Sequence, residues 1–172
     1  VRWLPFQLNP DLPDAGIPRE EYVARKFGSR GKGVNERVVM AGRQLGIGFD
    51  YEKMKVQPNT LNAHRLMVFA ERAGRQDELA EELFRAHFTE GANLTDADTL
   101  AEVAARAGLD RKAAAAYLAS DEDRDAIAQA DVDARSAGIG GVPFFIFNRN
   151  IGVSGAQEPE TLVQAMEQSL KG

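Results

Sequence analysis

The 172 residues predict an α/β chain in which a helical block sits inside a small α/β frame. Three observations carry this. Residues 1–7 alternate apolar and mixed side chains at the two-residue period of a strand. Between about positions 18 and 138, apolar residues recur three and four apart, punctuated by Gly, Asn and Asp, which predicts six or so helices. Strand character returns only at residues 142–147, an apolar run of strand length, followed by a turn, a second short strand and a closing helix. Neither end can bury its apolar face alone, so the hairpin and last helix are expected to pack on the first strand.

Each element follows from local chemistry. After the first strand, Pro10 and Pro13 remove donors and fix φ, which makes residues 8–14 a loop. Pro18 suits a first helical turn, with Glu20 and Glu21 at the positive end and Tyr22, Val23, Lys26 and Phe27 on the inward face. Gly28 to Gly33 breaks that helix with a basic link. A second helix is expected from Val34 to Gln44, with Val38, Met40, Ala41 and Leu45 apolar and Gly46 as its stop. Residues 49–56 read as irregular or briefly extended. Asn59 and Thr60 cap a helix to about Ala73, with Leu61, His64, Met67 and Val68 facing in and Gly74 ending it. Residues 76–89 form the next, on Leu79, Leu83, Phe84, His87 and Phe88. Thr95-Asp96 opens another, on Leu100, Val103, Ala104 and Ala107, and Asp110 starts a short alanine-rich one. Residues 120–138 form a long helix on Ile127, Ala130 and Ala134. Asn148-Arg149-Asn150 is a tight turn before the strand at 151–154, and Glu158-Pro159-Glu160 opens a last helix with Leu162, Val163, Met166 and Leu170 apolar.

Composition excludes several function classes. A net charge of -5 opposes a nucleic-acid footprint, which needs a basic face. No apolar run approaches the roughly 18–20 residues of a membrane span. The opening Val1-Arg2-Trp3-Leu4-Pro5-Phe6 lacks the basic start and apolar stretch of a signal peptide, and the expected location is cytoplasmic. With no cysteine and only His64 and His87, thiolate and histidine-rich metal sites are not expected.

Taken as bare residues, most candidate sites have an ordinary explanation. Pro143 reads as a strand-entry proline. Ser154-Gly155-Ala156-Gln157 is either a plain strand-to-helix turn or a turn in which Gly155 permits close approach and Gln157 donates and accepts. Asn59 is a cap or a polar lining of a cleft, and His64, one turn further on, is a hydrogen-bonded rim residue or a catalyst. The Gly28–Gly33 stretch does not match P-loop spacing. The acidic run at 121–125 complements a helix N-terminus.

Five ordered blocks then carry a resemblance. They are Trp3-Leu4-Pro5-Phe6-Gln7-Leu8-Asn9-Pro10-Asp11, Gln57-Pro58-Asn59-Thr60-Leu61-Asn62-Ala63-His64-Arg65, Leu83-Phe84-Arg85-Ala86-His87-Phe88-Thr89-Glu90-Gly91, Gly141-Val142-Pro143-Phe144-Phe145 and Val153-Ser154-Gly155-Ala156-Gln157. Together they resemble the DsbA-like thioredoxin-fold family, in its FrnE-like branch of predicted dithiol-disulfide isomerases. The resemblance implies a thioredoxin-like α/β fold with a large helical insertion between its second strand and the C-terminal hairpin. Residues 1–13 and 139–172 would form the thioredoxin-like part, and 14–138 the helical insertion and connecting helix. Family members begin with a strand and a Cys-Pro-x-Cys helix. This chain opens at what would be the second strand, so roughly forty residues of that start are absent. Unpaired buried donors cost about 1–3 kcal/mol each, so the missing strand is expected either upstream of Val1 or from a second copy in a swapped homodimer.

The resemblance also assigns roles. It makes Pro143 a cis-proline facing the thiol site, with Val142 holding an extended substrate by two backbone hydrogen bonds and Gly141 beside it. Ser154, Gly155 and Gln157 would lie near the thiols, and Asn59 and His64 would line the cleft. No catalytic residue is present in the chain itself. The implied activity is thiol-disulfide exchange, in which a low-pKa thiolate attacks a disulfide and a second cysteine resolves the mixed disulfide. The partners implied are a disulfide- or dithiol-bearing protein or glutathione. Two other readings are carried: a glutathione-dependent isomerase or transferase, like the 2-hydroxychromene-2-carboxylate isomerases and kappa-class transferases, and a thioredoxin-like binding module without thiols.

Overall fold

The computed structural model describes residues 1–28, 33 and 35–171. In chain order the elements are β1 (Ile17–Pro18), α1 (Arg19–Phe27), α2 (Glu36–Gln44), β2 (Val56–Gln57), α3 (Leu61–Arg72), α4 (Gln76–Phe88), α5 (Ala97–Arg106), α6 (Arg111–Ala119), α7 (Arg124–Ser136), β3 (Phe144–Phe147), β4 (Ile151–Ser154) and α8 (Pro159–Ser169). Two antiparallel pairs, β1 with β2 and β3 with β4, make up the sheet structure among the described residues. The chain divides into two compact units, Val1–Ala128 and Gln129–Gly172. Among the described residues no helix is long and apolar enough to cross a membrane.

The first unit is built on α3, α4, α5 and α6. Leu66, Ala70, Leu79, Ala86, Leu100, Ala104 and Ala114 are fully buried in one cluster. Full burial of a leucine side chain contributes roughly 1.5–3 kcal/mol relative to leaving it exposed, so this cluster carries the unit. The sequence places α5 well: Leu100, Val103, Ala104 and Ala107 are all buried, and Asp96 caps the helix by accepting from the Thr99 backbone N–H at 2.8 Å. Asp110 caps α6 in the same way through Ala113, at 2.6 Å.

Four local expectations are corrected. Residues 1–7 are not a strand. The backbone N–H of Trp3 donates to the Gln76 side-chain oxygen at 2.9 Å, and the Gln76 amide donates back to the Trp3 carbonyl at 3.1 Å. A buried glutamine amide thus supplies the donor and acceptor that a neighbouring strand would have supplied. The inward face of α3 is rotated from the expected one: Ala63, Arg65, Leu66 and Ala70 are buried, while Leu61, His64, Met67 and Val68 are only half-buried. Helix α1 buries none of its residues, and its start is preceded by the β1–β2 pairing, in which Pro18 faces Val56. Helix α2 buries only Gly42, leaving Val38, Met40 and Leu45 exposed. Periodicity reports which face is more apolar; it does not supply a neighbour to cover it. The expected basic link lies, at residues 29–32, outside the described residues, as does Val34.

The second unit holds the end of α7, the hairpin and α8. The register pairs Phe144 with Ser154, Phe145 with Val153, Ile146 with Gly152 and Phe147 with Ile151. Its turn is closed by the Asn150 N–H on the Phe147 carbonyl at 3.1 Å, with Asn148 and Arg149 both left-handed at φ 47° and 61°. The Asn148 amide donates to the Ser169 carbonyl at 2.9 Å, which ties the turn to the C-terminal end of α8. Gly152 lies under the Phe144 ring, where an added Cβ would sit 2.9 Å from its edge, so a larger residue would have to displace the ring. Of the apolar residues expected to face inward on α8, Val163, Met166 and Leu170 are exposed, and Ala165 and Ser169 are buried instead.

Candidate functional site

Six of the eight candidate residues lie in the second unit, around the loop that enters β3. The Val142–Pro143 peptide bond is cis. The Pro143 carbonyl accepts the Gly155 N–H at 2.8 Å, and Phe144 pairs with Ser154, so the turn after β4 is held directly against the entry to β3. Gly155 takes φ +82°, the left-handed conformation that makes this contact feasible. The Gln157 amide donates to the Ser154 carbonyl at 2.9 Å. One N–H of the Gln157 amide thus closes the turn between β4 and α8.

Val142 is different. Its residue surface is 48% exposed, and neither its N–H nor its carbonyl makes a hydrogen bond among the described residues. Gly141 beside it is half-buried and Pro143 is exposed. An exposed residue with both backbone groups unengaged, at the entry to a strand, can pair with an extended segment as an added strand does. Two such hydrogen bonds contribute about 1–3 kcal/mol net, enough for weak and reversible holding of a peptide.

The other two candidates, Asn59 and His64, belong to the first unit. Asn59 is 7% exposed, and both ends of its amide are committed. Its nitrogen donates to the Leu12 carbonyl at 2.6 Å, and its oxygen accepts the Leu61 N–H at 2.9 Å. It closes an Asx turn into the start of α3, one residue before the N-cap Thr60, and fastens the preceding loop. His64 is half-buried on the first turns of α3. Asp14, Asn59, Leu61, Asn62, Thr95 and Arg124 line a small polar notch at the head of that helix, with Asp14 and Arg124 paired at 2.6 Å.

A polar cluster that sequence reasoning missed lies in the same unit. Arg65 is 1% exposed. It donates to the carbonyls of Tyr117 at 2.9 Å, Leu118 at 3.3 Å, Ser120 at 2.6 Å and Glu122 at 2.8 Å, and to the Asn62 side chain at 2.9 Å. Three of these carbonyls come from the end of α6 and the residue just after it, where the negative end of the helix dipole offsets the guanidinium charge. The Tyr117 hydroxyl donates to Asp123 at 2.7 Å, and burial together with that carboxylate holds it above the ordinary tyrosine range. Arg72 pairs with Glu122 at 2.5 Å and Asp123 at 2.6 Å. The signal was an arginine one position from the expected apolar face, immediately before Leu66. His87 is buried against Phe88 and the Ala92 carbonyl, and burial lowers its pKa below the usual 6.5. This arrangement is structural.

Comparison with known proteins fits this geometry. A family model described as a DSBA-like thioredoxin domain matches residues 1–167. A crystal structure described as a probable DsbA oxidoreductase from Streptomyces coelicolor is similar to the chain at 27% identity with a TM-score of 0.86. The match covers 96% of this chain and 73% of that one. No curated protein matches significantly. The fold is thus a DsbA-like thioredoxin fold, mixed α/β with few strands.

Proposed function

Because this chain belongs to the DSBA-like thioredoxin domain family, we propose that it is the substrate-holding part of a thiol-disulfide oxidoreductase that exchanges disulfides with protein substrates. The observation that carries this reading is Val142, whose exposed and unengaged backbone stands at the head of β3 beside Pro143. The 172 residues contain no cysteine, so the reactive pair has to be supplied from outside them. In the exchange, one thiolate of that pair attacks a sulfur of the substrate disulfide and the other substrate sulfur leaves as a thiolate. The second thiolate of the pair then displaces the first substrate sulfur. The residues described here contribute the holding of the peptide, not the electrons.

The division into a thioredoxin-like part (1–13 and 139–172) and a helical insertion (14–138) belongs to the same proposal, as does the FrnE-like branch. Both are supported by the five sequence blocks in their order. A cytoplasmic location is proposed with them and is read by cell fractionation. The test of activity is insulin reduction by the full gene product. Turnover that is lost when the paired thiols are alkylated is the expected outcome. No turnover with both thiols present and reduced would overturn the redox reading and leave a binding module.

A further inference from the structure

The second unit is polarised in charge along the hairpin. At the turn end stand Arg149, in the turn itself, and Lys171, two residues past the Ser169 carbonyl that the turn residue Asn148 bonds, with one carboxylate, Glu167, on the last turn of α8. At the opposite end, where Pro143 meets Gly155, the next charged residues after Gly155 are Glu158 and Glu160, and the one before Pro143 is Arg135. The strands separate these ends by three residue steps, about 10 Å. Between Ser136 and Leu170 the only cationic residue is Arg149. Arg135, just before that run, is held by Asp131 at 2.9 Å. Glu158 and Glu160 are exposed, and neither makes a side-chain hydrogen bond or ion pair among the described residues. The exposed Val142 side chain at this end is aliphatic, and Ser154 and Gln157, also exposed there, are uncharged.

A ligand that pairs with Val142 therefore meets one aliphatic side chain and, a few residues beyond Gly155, two carboxylates without a paired cation among the described residues. From Gly155 to Leu170 the chain offers no cationic residue to hold an anionic group. Glutathione carries two carboxylates and one amine, and gains least here. An extended peptide with aliphatic residues at the pairing position and Lys or Arg a few residues away gains most. The whole chain, at -5, biases encounter in the same direction. Resting on the proposed holding role of Val142, we infer that this site selects extended aliphatic peptide segments flanked by basic residues, with Glu158 and Glu160 as the selecting side chains, and discriminates against glutathione.

The experiment follows the amide signals of Val142 and Gly155 in the labelled chain. The probes are two capped hexapeptides with the same Val-Val centre, one flanked by lysines and one by glutamates, and oxidised glutathione. In low salt the lysine peptide is expected to bind about fivefold tighter than the glutamate peptide, from two charges acting across solvent, and glutathione weakest. The ratio should contract in high salt and fall towards unity in the Glu158→Gln/Glu160→Gln double variant, whose amide spectrum away from α8 reports that it is folded. Equal binding of both peptides with Val142 responding would overturn the charge selection and leave the holding role intact. A ratio that survives in the folded double variant would overturn the assignment to these two side chains. If neither peptide moves Val142, the holding role itself falls, and the selection with it.

Discussion

The two units of this chain solve the burial problem differently. In the first, α3 to α6 close on themselves, and Leu66, Leu79 and Leu100 are each 0% exposed, although outside that core the same unit leaves Met40 and Leu45 open. In the second, the apolar residues of comparable sequence character stand open: Ile146 is 49% exposed, Met166 47% and Leu170 79%. The charged residues differ as well. The first unit buries a cation, Arg65, and gives an acceptor to all five of its N–H donors. The second leaves Val142's backbone and the Glu158 and Glu160 side chains unengaged among the described residues. Groups bonded within the protein hold a scaffold together, whereas exposed groups without a protein partner are open to a ligand, which is what the proposed holding role of Val142 uses. On that proposal stability and recognition rest on separate elements.

Substitutions should separate the two, and Trp3 offers a probe. It is the only tryptophan, and its indole nitrogen donates to Asp77 on α4 at 2.6 Å, so its fluorescence during urea unfolding reports on the first unit. The largest effect is expected from Arg65→Leu, which leaves four backbone carbonyls without their donor. A loss of roughly 3–5 kcal/mol is expected, and a loss below 1 kcal/mol would show that the cluster is not the lock it resembles. Next comes Leu79→Ala, which opens a cavity in the same core at a cost of roughly 2–5 kcal/mol. Asp96→Ala removes the cap of α5 and should cost about 1 kcal/mol on the same denaturation curve.

A smaller effect concerns pH. Burial lowers the pKa of His87 in the folded chain, so on acidification the unfolded chain takes up a proton near pH 6.5 before the folded chain does. Stability is therefore full above that pH and declines as pH falls through it, until the lowered folded value is passed. The melting temperature should drop between pH 8 and pH 5.5, and His87→Gln should flatten that slope. A wild-type melting temperature that rises over this interval would contradict the buried neutral imidazole. The smallest effect belongs to the second unit: Met166→Ala, on an open face, should change stability by less than about 0.5 kcal/mol. A loss of several kcal/mol there would mean that the α8 stripe is covered, and the contrast between the units would fail.

Legibility differed from element to element. The caps at Asp96 and Asp110 and the turn at Asn59 were readable because such contacts are local: an oxygen-bearing side chain and an N–H two or three residues away complete them. The hairpin was readable because its apolar run, its turn and its short second strand lie within a dozen residues. The loop at Val142 and Pro143 was readable only through the resemblance, since Pro143 alone reads as an ordinary strand entry. Residues 1–7 misled because their alternation is real while their partner is a glutamine side chain 73 positions away. Arg65 was invisible for a similar reason: its acceptors lie more than 50 residues downstream.

What could be known from the chemistry of neighbouring residues was therefore the approximate placement of the helices and of the hairpin, while the family came from the resemblance alone. These depend on rotamer entropy, backbone hydrogen bonding and chain stiffness over a few residues, all of which are written locally. What required the packed molecule was which face of α3 is buried, that α1, α2 and α8 leave apolar surface open, and that an arginine rather than a leucine anchors the end of α6. Burial is a property of neighbours brought together from distant positions, and no local pattern can state which neighbours will be present.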